Sequence, residues 1–312
     1  MAADWFDFKN GTYAYVSGSN IGFIVENGTA LMVDAGLDHS SAKNALKAFE
    51  ALGVKLTGIL ITHGHADHFG GAGWVAQHYQ IPVYAPPLEG AFAANPILEP
   101  LYLYGGAAPI AELKGKFTLA KRGVIAPHPL LHGPQCIEGI EIDVLPLPGH
   151  SPVQVGIAYK DTLFCGDAVF PTSTLQRHPI LFCSDLDAWL ETLSGIPDLS
   201  YTHYIAGHGE PMDDLVPLAL GTESRLLELR RLTLQALTVP QEATAVLRSV
   251  AASYGIVFSS PEYLLLAQTT ILAALVSLQR AGEAEIIITE NRMLWRRTKA
   301  PIPEITTKDT KC

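Results

Sequence analysis

The stretch from Gly58 to Gly71 constrains this chain more than any other part of it. Its apolar start, Gly58-Ile59-Leu60-Ile61, predicts a short buried strand that ends at a glycine-rich break. The break reads His63-Gly64-His65-Ala66-Asp67-His68. Because positions i and i+2 point apart on a helix, we expect the three histidines to converge from a loop at the end of the strand. This spacing arises by chance in roughly one chain in a hundred, so a metal site is favoured over a histidine-rich surface loop.

Three later turns have the same character. Each follows an apolar strand and presents one side chain of a type that binds metals: Pro148-Gly149-His150-Ser151, Cys165-Gly166-Asp167 and Ala206-Gly207-His208-Gly209. With the first motif, four loops supply seven nitrogen or oxygen donors. Imidazoles combined with carboxylates suit zinc, iron or manganese, and one carboxylate can bridge two ions. The sequence therefore predicts a metal site to which four strand ends contribute.

Together these motifs resemble those of the metallo-β-lactamase fold superfamily, over residues 11–211 apart from an insertion at about 86–135. The resemblance implies an α/β fold, a four-layer αββα sandwich with its metals at one edge between two sheets. It implies two divalent metal ions, zinc first, with iron or manganese as alternatives. The implied ligands are His63, His65 and His150 at one metal, Asp67, His68 and His208 at the other, and Asp167 as the bridge between them.

Asp34 follows a predicted strand in Val33-Asp34-Ala35-Gly36 and matches a frequent family position. We assign it to the shell behind the ligands, where a carboxylate orients a ligand imidazole or the loop backbone. A plain strand-end turn residue is the alternative interpretation. His128, His132 and His178, beside prolines or glycines, are weaker candidates for substrate contact, and the substrate-binding residues are otherwise unassigned.

The complete ligand set resembles the glyoxalase II, lactonase and ribonuclease Z branches. It implies a hydrolase whose hydroxide, shared by two metals, attacks a small-molecule thioester, lactone or other ester, with Asp67 as the candidate catalytic proton carrier. One alternative is an endoribonuclease or phosphodiesterase of the lactamase-like type. Another is a sulfur dioxygenase, in which one iron is held by His63, His150 and Asp167.

The charge is unevenly distributed. Residues 1–219 hold 10 Lys+Arg against 22 Asp+Glu, giving −12, whereas residues 220–312 hold 11 against 9, giving +2. An acidic catalytic part repels polyanions, and a +2 module lacks the basic stripe of a nucleic-acid site. The balance weighs against a nucleic-acid partner and favours a small-molecule substrate.

The pattern changes along the chain. Residues 1–219 are predicted to form the catalytic domain, and prolines and Gly105-Gly106 mark its insertion as a lid, a binding loop or a packed wrap. Three helical patterns and an alternating hairpin in 220–300 predict a small α+β winged-helix-like module, followed by a flexible tail at 301–312. The four cysteines lack CxxC spacing, and the acidic N-terminus lacks a signal-peptide layout. We expect a cytoplasmic protein with no membrane partner, and a homodimer is one candidate assembly.

Overall fold

The structure, a computed structural model, describes residues 4–298. The first part of these residues forms a seven-stranded sheet. Its strands, neighbours in sequence order, are β1 (Asp4–Asp7), β2 (Thr12–Val16), β3 (Ile21–Glu26), β4 (Thr29–Val33), β5 (Lys55–Leu60), β6 (Val83–Ala85) and β7 (His128–Pro129). The first four are antiparallel, and β4 to β7 are parallel. Asn27 (φ 48°) and Gly28 (φ 80°) join β3 to β4 with the two positive φ angles of a type I′ turn.

The second sheet has five strands in the order β12-β11-β10-β9-β8. They are β8 (Gly133–Ile137), β9 (Ile140–Pro146), β10 (Val155–Tyr159), β11 (Thr162–Gly166) and β12 (His203–Ala206). Only the β11–β12 pair is parallel. The carboxyl ends of these two strands therefore lie at the same edge of the sheet.

Seven helices precede residue 200: α1 (His39–Phe49), α2 (Ala66–Phe69), α3 (Ala72–Tyr79), α4 (Pro87–Ala94), α5 (Leu98–Leu103), α6 (Thr172–Arg177) and α7 (Leu186–Gly195). Side chains alternate across each strand, so Phe23 packs under α1 while Ile24 faces the second sheet. Trp189 of α7 covers the outer face of the second sheet. The layers run helix, sheet, sheet, helix, and the predicted αββα sandwich is confirmed.

The insertion at 86–135 is packed against the body of the protein. It contributes α4, α5, a 3-10 helix at Ala111–Lys114 and the edge strand β7. Leu113 and Val124 are buried, and Ala93, Ala120 and Val124 belong to the core beneath the first sheet. Packing of this kind agrees with a packed wrap.

The C-terminal part contains the predicted three helices and hairpin. They are α8 (Val216–Ala236), α9 (Ala243–Ser253), α10 (Pro261–Arg280), β13 (Ala284–Thr289) and β14 (Arg292–Arg297). Their own core includes Leu229, Ile271 and Trp295. The predicted boundary between residues 219 and 220 falls inside α8, and Ala274 also packs into the core beneath the second sheet. The winged-helix description stays a prediction, and the predicted tail at 301–312 lies outside the described residues.

Helix α10 is the one helix of residues 4–298 with the length and apolar composition to cross a membrane. Of its most apolar window, 44% is buried inside the fold. Core helices of other proteins pass the same test, so this is weak evidence for a membrane span, and the cytoplasmic location stays a prediction.

Candidate metal centre

The seven predicted donors come from four places at the facing edges of the two sheets. His63 and His65 follow β5 in an irregular loop, whereas Asp67 and His68 lie on α2, a single helical turn. The expectation of a loop alone was therefore wrong for the second half of the motif. The other three donors follow β9, β11 and β12, as the sequence predicted. Because β4 is parallel to β5 and β11 is parallel to β12, their carboxyl ends deliver these residues to one region.

The donor atoms form three groups in which all atoms lie within 4.8 Å of one another. The groups are His63, His65 and His150; Asp67, His68 and His208; and His63, His68 and Asp167. The first two are the triplets that the family resemblance implies for the two metals. None of the three groups contains His128, His132 or His178.

Asp167 lies between the two triplets. Its Oδ2 is 3.4 Å from Nε2 of His150 and 3.3 Å from Nε2 of His208, and its Oδ1 is 3.3 Å from Nε2 of His68. One carboxylate thus contacts histidines of both groups, as a bridging ligand would.

The orientation of the donor nitrogens and oxygens suits a bound metal ion. Nε2 of His63, Nε2 of His68 and Oδ1 of Asp167 are buried without a hydrogen-bond partner. Nδ1 of His150 lies 3.1 Å from the carbonyl oxygen of Phe182, and Nδ1 of His208 lies 2.6 Å from that of Gly18. Since a carbonyl oxygen only accepts, each Nδ1 carries a proton, so in the neutral form of each ring the lone pair is on Nε2 and faces the centre.

Electrostatics differ between the two triplets. Burial lowers the pKa of His63 well below its usual range and the pKa of His150 to about 3. Both rings are therefore neutral, and each has a nitrogen lone pair that can bind a cation. Burial opposes protonation of His208 as well, but the nearby carboxylate of Asp167 outweighs it and raises the pKa to about 9. The pKa of His68 is likewise raised well above its usual range, by Asp167 and Asp67 against burial. This side of the centre favours positive charge, which a divalent ion could supply in place of protons.

Asp34, assigned from the sequence to the shell behind the ligands, contacts His68. Its Oδ2 is 2.8 Å from Nδ1 of His68, and its two oxygens accept hydrogen bonds from the backbone N–H and the hydroxyl of Thr62, each at 2.8 Å. The backbone at Asp34 is left-handed, with φ 57°. One carboxylate thus touches both a candidate ligand ring and the loop that leads to His63.

A close approach explains the glycine before His208. A Cβ at Gly207 would overlap Oδ1 of Asp167 and lie 2.6 Å from Cε1 of His68. No side chain fits there without moving a predicted ligand, so the Gly-His-Gly turn is required by the packing of the centre.

The sequence did not reveal several residues that contact the loops of the centre. Gln154 is fully buried and accepts a hydrogen bond from the backbone N–H of Asp167 at 3.1 Å. Ser19 donates to Asp67 at 3.0 Å, and Glu89 joins two of the ligand loops. Gln154 follows the His150 turn closely enough to be suspected, but Ser19 and Glu89 are remote in sequence and carry no local signal.

Comparison with known proteins agrees with a four-layer sandwich that carries a histidine and aspartate centre. The family description of the metallo-beta-lactamase superfamily matches residues 14–215. The chain therefore belongs to that superfamily.

Similar curated proteins include a probable metallo-hydrolase, YybB, of Bacillus subtilis, which is 30% identical over 193 residues, covering 60% of this chain and 79% of that protein. A hydroxyacylglutathione hydrolase of Shewanella denitrificans is 29% identical over 154 residues, covering 49% of this chain and 44% of that protein. The chain spans 44% to 63% of the length of the Aquifex aeolicus, Shewanella and Haemophilus influenzae relatives that it matches.

Solved structures share the fold. A metallo-beta-lactamase family protein from Thermus thermophilus superposes with a TM-score of 0.71 at 20% identity, covering 92% of this chain and 99% of that one. A beta-lactamase domain protein from Burkholderia ambifaria gives 0.71 at 18% identity, covering 95% and 94%. Both alignments cover more of this chain than residues 14–215, so the likeness of fold extends beyond the sandwich.

Proposed function

We propose that this metallo-hydrolase binds two divalent metal ions, zinc first, and hydrolyses a small-molecule thioester, lactone or other ester. One observation carries the proposal: two triplets of donors meet at a single carboxylate, Asp167, whose oxygens contact His150, His68 and His208. Structural zinc sites fill all four positions with protein ligands, whereas catalytic sites keep one open. Each triplet supplies three protein donors, the number found in catalytic zinc sites, and Asp167 is the contact that the two triplets share.

Paired divalent ions lower the pKa of a coordinated water from about 15.7 to about 7 and polarise a carbonyl oxygen. The residues of this chain hold and orient the reacting groups. The first triplet is neutral, and the side chain of Asp167 is only 5% exposed, which excludes bulk water from the bridge. The side chains of Asp67 and His208 are 23% and 22% exposed, so solvent reaches this side of the centre.

Asp67 is the candidate proton carrier. Burial would raise its pKa, but the charges of His68 and His208 lower it below the usual value, so the carboxylate is ionised at neutral pH. Its Oδ2 accepts a hydrogen bond from the hydroxyl of Ser19 at 3.0 Å, which orients the carboxylate. An ionised carboxylate there can accept a proton from the attacking water and deliver it to the leaving group.

Two observations support a small ester or thioester as the substrate. Several relatives carry the name hydroxyacylglutathione hydrolase, which describes cleavage of a thioester. Residues 1–219 carry a charge of −12, from 10 basic and 22 acidic side chains, which opposes the approach of a polyanion. Both favour an ester or thioester over RNA.

The test combines metal content with a hydrolysis panel. Elemental analysis of the full chain should give close to two metal ions per protein, and a panel of thioesters, lactones, phosphodiesters and single-stranded RNA should show turnover of the first two classes. Asp167→Ala should lose metal and reduce turnover by at least about a thousandfold, because both metals lose a ligand. Asp143→Ala, which removes an exposed carboxylate from β9, is the matched control and should keep both.

Three outcomes would contradict the proposal. Full activity of Asp167→Ala would remove the ligand assignment. A single bound iron would favour the sulfur dioxygenase. Turnover confined to RNA or phosphodiesters would favour the nuclease.

A further inference from the structure

Glu89 is a buried carboxylate whose partners link two of the ligand loops. It lies on α4, within the insertion, and is 1% exposed. Its Oε2 accepts a hydrogen bond from the backbone N–H of Gly64 at 2.8 Å. Its Oε1 accepts from the hydroxyl of Ser151 at 2.8 Å and from the backbone N–H of Val153 at 3.0 Å.

These contacts are placed between candidate ligands. Gly64 separates His63 from His65, and Ser151 directly follows His150, so one side chain holds the backbone on both sides of the first triplet. Within residues 4–298, no Lys, Arg or His nitrogen forms an ion pair with Glu89 within 4.0 Å. A buried carboxylate without a cationic partner is costly, and three donated hydrogen bonds offset that cost.

The fit around Gly64 is tight. A Cβ at this position would lie 2.8 Å from Cβ of Phe92 and 2.9 Å from Oε2 of Glu89. The helix α4 therefore lies directly over the loop between the first two histidines. Movement of α4 would be transmitted to both loops through these contacts.

We infer that Glu89 is a positioning residue, supplied by the insertion, which sets the spacing between the His63–His65 loop and the His150 turn and thereby the metal affinity of the first triplet. The inference rests on the proposed function, because it requires that this triplet bind a metal. It also gives the insertion a role in the site that packing alone does not require. Outer contacts of this kind change metal affinity by about 10- to 100-fold when they are removed.

The hydrogen bonds of the Glu89 side chain suggest a specific substitution. All three partners of Glu89 donate, and a carboxylate accepts at both oxygens. In Glu89→Gln one of the two positions becomes an NH2 group, which would face either the N–H of Gly64 or that of Val153. Neither orientation of the amide satisfies both loops, although the volume of the side chain is unchanged.

The experiment measures zinc affinity of the full chain by competition with a chromogenic chelator, together with the absorption spectrum of the cobalt-substituted protein. Glu89→Gln should release its more weakly held zinc at about 10- to 100-fold lower chelator concentration than the wild type, and the cobalt bands should shift. Ser151→Ala removes one of the three donors and should show a smaller change. Thr118→Val is the matched control, because Thr118 is buried in the same insertion and its hydroxyl donates only to Leu113 and Gly115.

Thermal melting separates a local effect from a general loss of stability. The positioning role is supported if Glu89→Gln and Thr118→Val lower the melting temperature to a similar extent and only Glu89→Gln lowers the zinc affinity. Wild-type zinc affinity and an unchanged cobalt spectrum in Glu89→Gln would overturn it. If Glu89→Gln does not fold, Ser151→Ala decides by the same two readouts. A wild-type protein that binds no metal would instead refute the proposed function.

Discussion

The carboxylate of Asp34 accepts a hydrogen bond from Nδ1 of His68 at 2.8 Å, and this contact determines which nitrogen of the ring faces Asp167. Nδ1 carries a proton whether the ring is neutral or charged, so Nε2 is directed at the centre. Asp34 also accepts from the backbone and the hydroxyl of Thr62. The residue thus connects the end of β4 to the loop after β5.

Asp34→Asn should weaken binding of the second metal by about 10- to 100-fold. Asparagine tolerates the left-handed backbone at this position, so the substitution changes the hydrogen bonds without adding strain. Its NH2 group must face either Nδ1 of His68 or the N–H of Thr62. In the first case the ring has to adopt the other tautomer, which places the proton on Nε2 and removes it as a ligand.

Zinc equivalents and chelator competition would measure this effect, with Asp38→Asn as the control. Asp38 also accepts backbone hydrogen bonds at a chain turn, from Ser40 and Ser41, but it caps α1 away from the centre. Retention of two zinc ions at wild-type affinity in Asp34→Asn would show that Asp34 is only a turn residue.

The stability of the metal-free protein should peak near pH 6.5. The pKa of His208 is raised to about 9 in the folded protein from 6.5, so its contribution is complete below pH 6.5 and is lost as the pH rises through 9. The pKa of His150 is lowered to about 3 in the folded protein. As the pH drops below 6.5, His150 is therefore protonated in the unfolded chain before it is in the folded protein, and stability falls on this side as well. The share of His208 in the alkaline limb is on the order of 3 kcal/mol.

Urea unfolding of chelator-treated protein at pH values from roughly 5 to 10 would measure the free energy of unfolding on both sides of the maximum. His208→Gln should reduce the alkaline limb, because it removes one of the two histidines whose raised pKa produces it. Zinc-loaded protein should lack that limb, since a bound metal replaces the proton. A metal-free protein whose stability rose steadily from pH 6.5 to pH 9 would contradict the sign of the effect.

The candidate donors could be identified from the sequence because residue types that bind metals recur where predicted strands end. Five of the seven lie beside a glycine, and their division into two triplets came from the family resemblance. Asp34 was singled out because it ends a predicted strand at a position that is frequent in that family. Glu89, Ser19 and Gln154 are different, since each acts through a contact with a distant loop. Contacts of this kind depend on how the sheets and helices pack, which no local pattern encodes.

Local sequence patterns predicted some features of the fold and left others undecided, for physical reasons. The predicted C-terminal hairpin turns at Glu290 and Asn291, and both residues have positive φ angles, as a two-residue turn of type I′ requires. Ser260 caps α10, and the Ser-Pro-Glu sequence there is typical of a helix start. At α1, residue type alone left the cap ambiguous, because Asp38, Ser40 and Ser41 are all good N-caps within four positions. Asp38 is the residue that accepts the backbone hydrogen bonds, from Ser40 and Ser41.

Only one thiol of residues 4–298 should react rapidly with a water-soluble disulfide reagent. Cys136 is exposed on the edge strand β8, whereas Cys165 and Cys183 are buried. Burial raises the pKa of Cys165 to about 12 and also raises that of Cys183, so neither forms a thiolate at neutral pH. In a Cys312→Ser background, Cys136→Ser should remove the fast phase, and urea should expose two more thiols. A second fast thiol in the native protein would contradict the burial of β11 or of the segment before α7.

Thr270 provides a direct test of whether the C-terminal helices support the centre. Its hydroxyl, fully buried on α10, donates to the carbonyl oxygen of Leu181 at 2.6 Å. The next residue, Phe182, provides the carbonyl oxygen that accepts from Nδ1 of His150. A single segment is thus held by α10 on one side and orients a predicted ligand on the other.

Thr270→Val keeps the shape of the side chain and leaves the carbonyl of Leu181 without its donor, which should cost about 1–3 kcal/mol in the free energy of unfolding. If the segment transmits the change, zinc affinity should fall as well. Thr269→Val is the control, because its hydroxyl donates within α10 to Leu265. Residues 1–219 are predicted to form the catalytic domain, and if they hold the centre unaided, Thr270→Val should lose stability with zinc affinity unchanged. A parallel loss of zinc would instead mean that α10 completes the environment of His150, and that a truncated chain would not keep its metals.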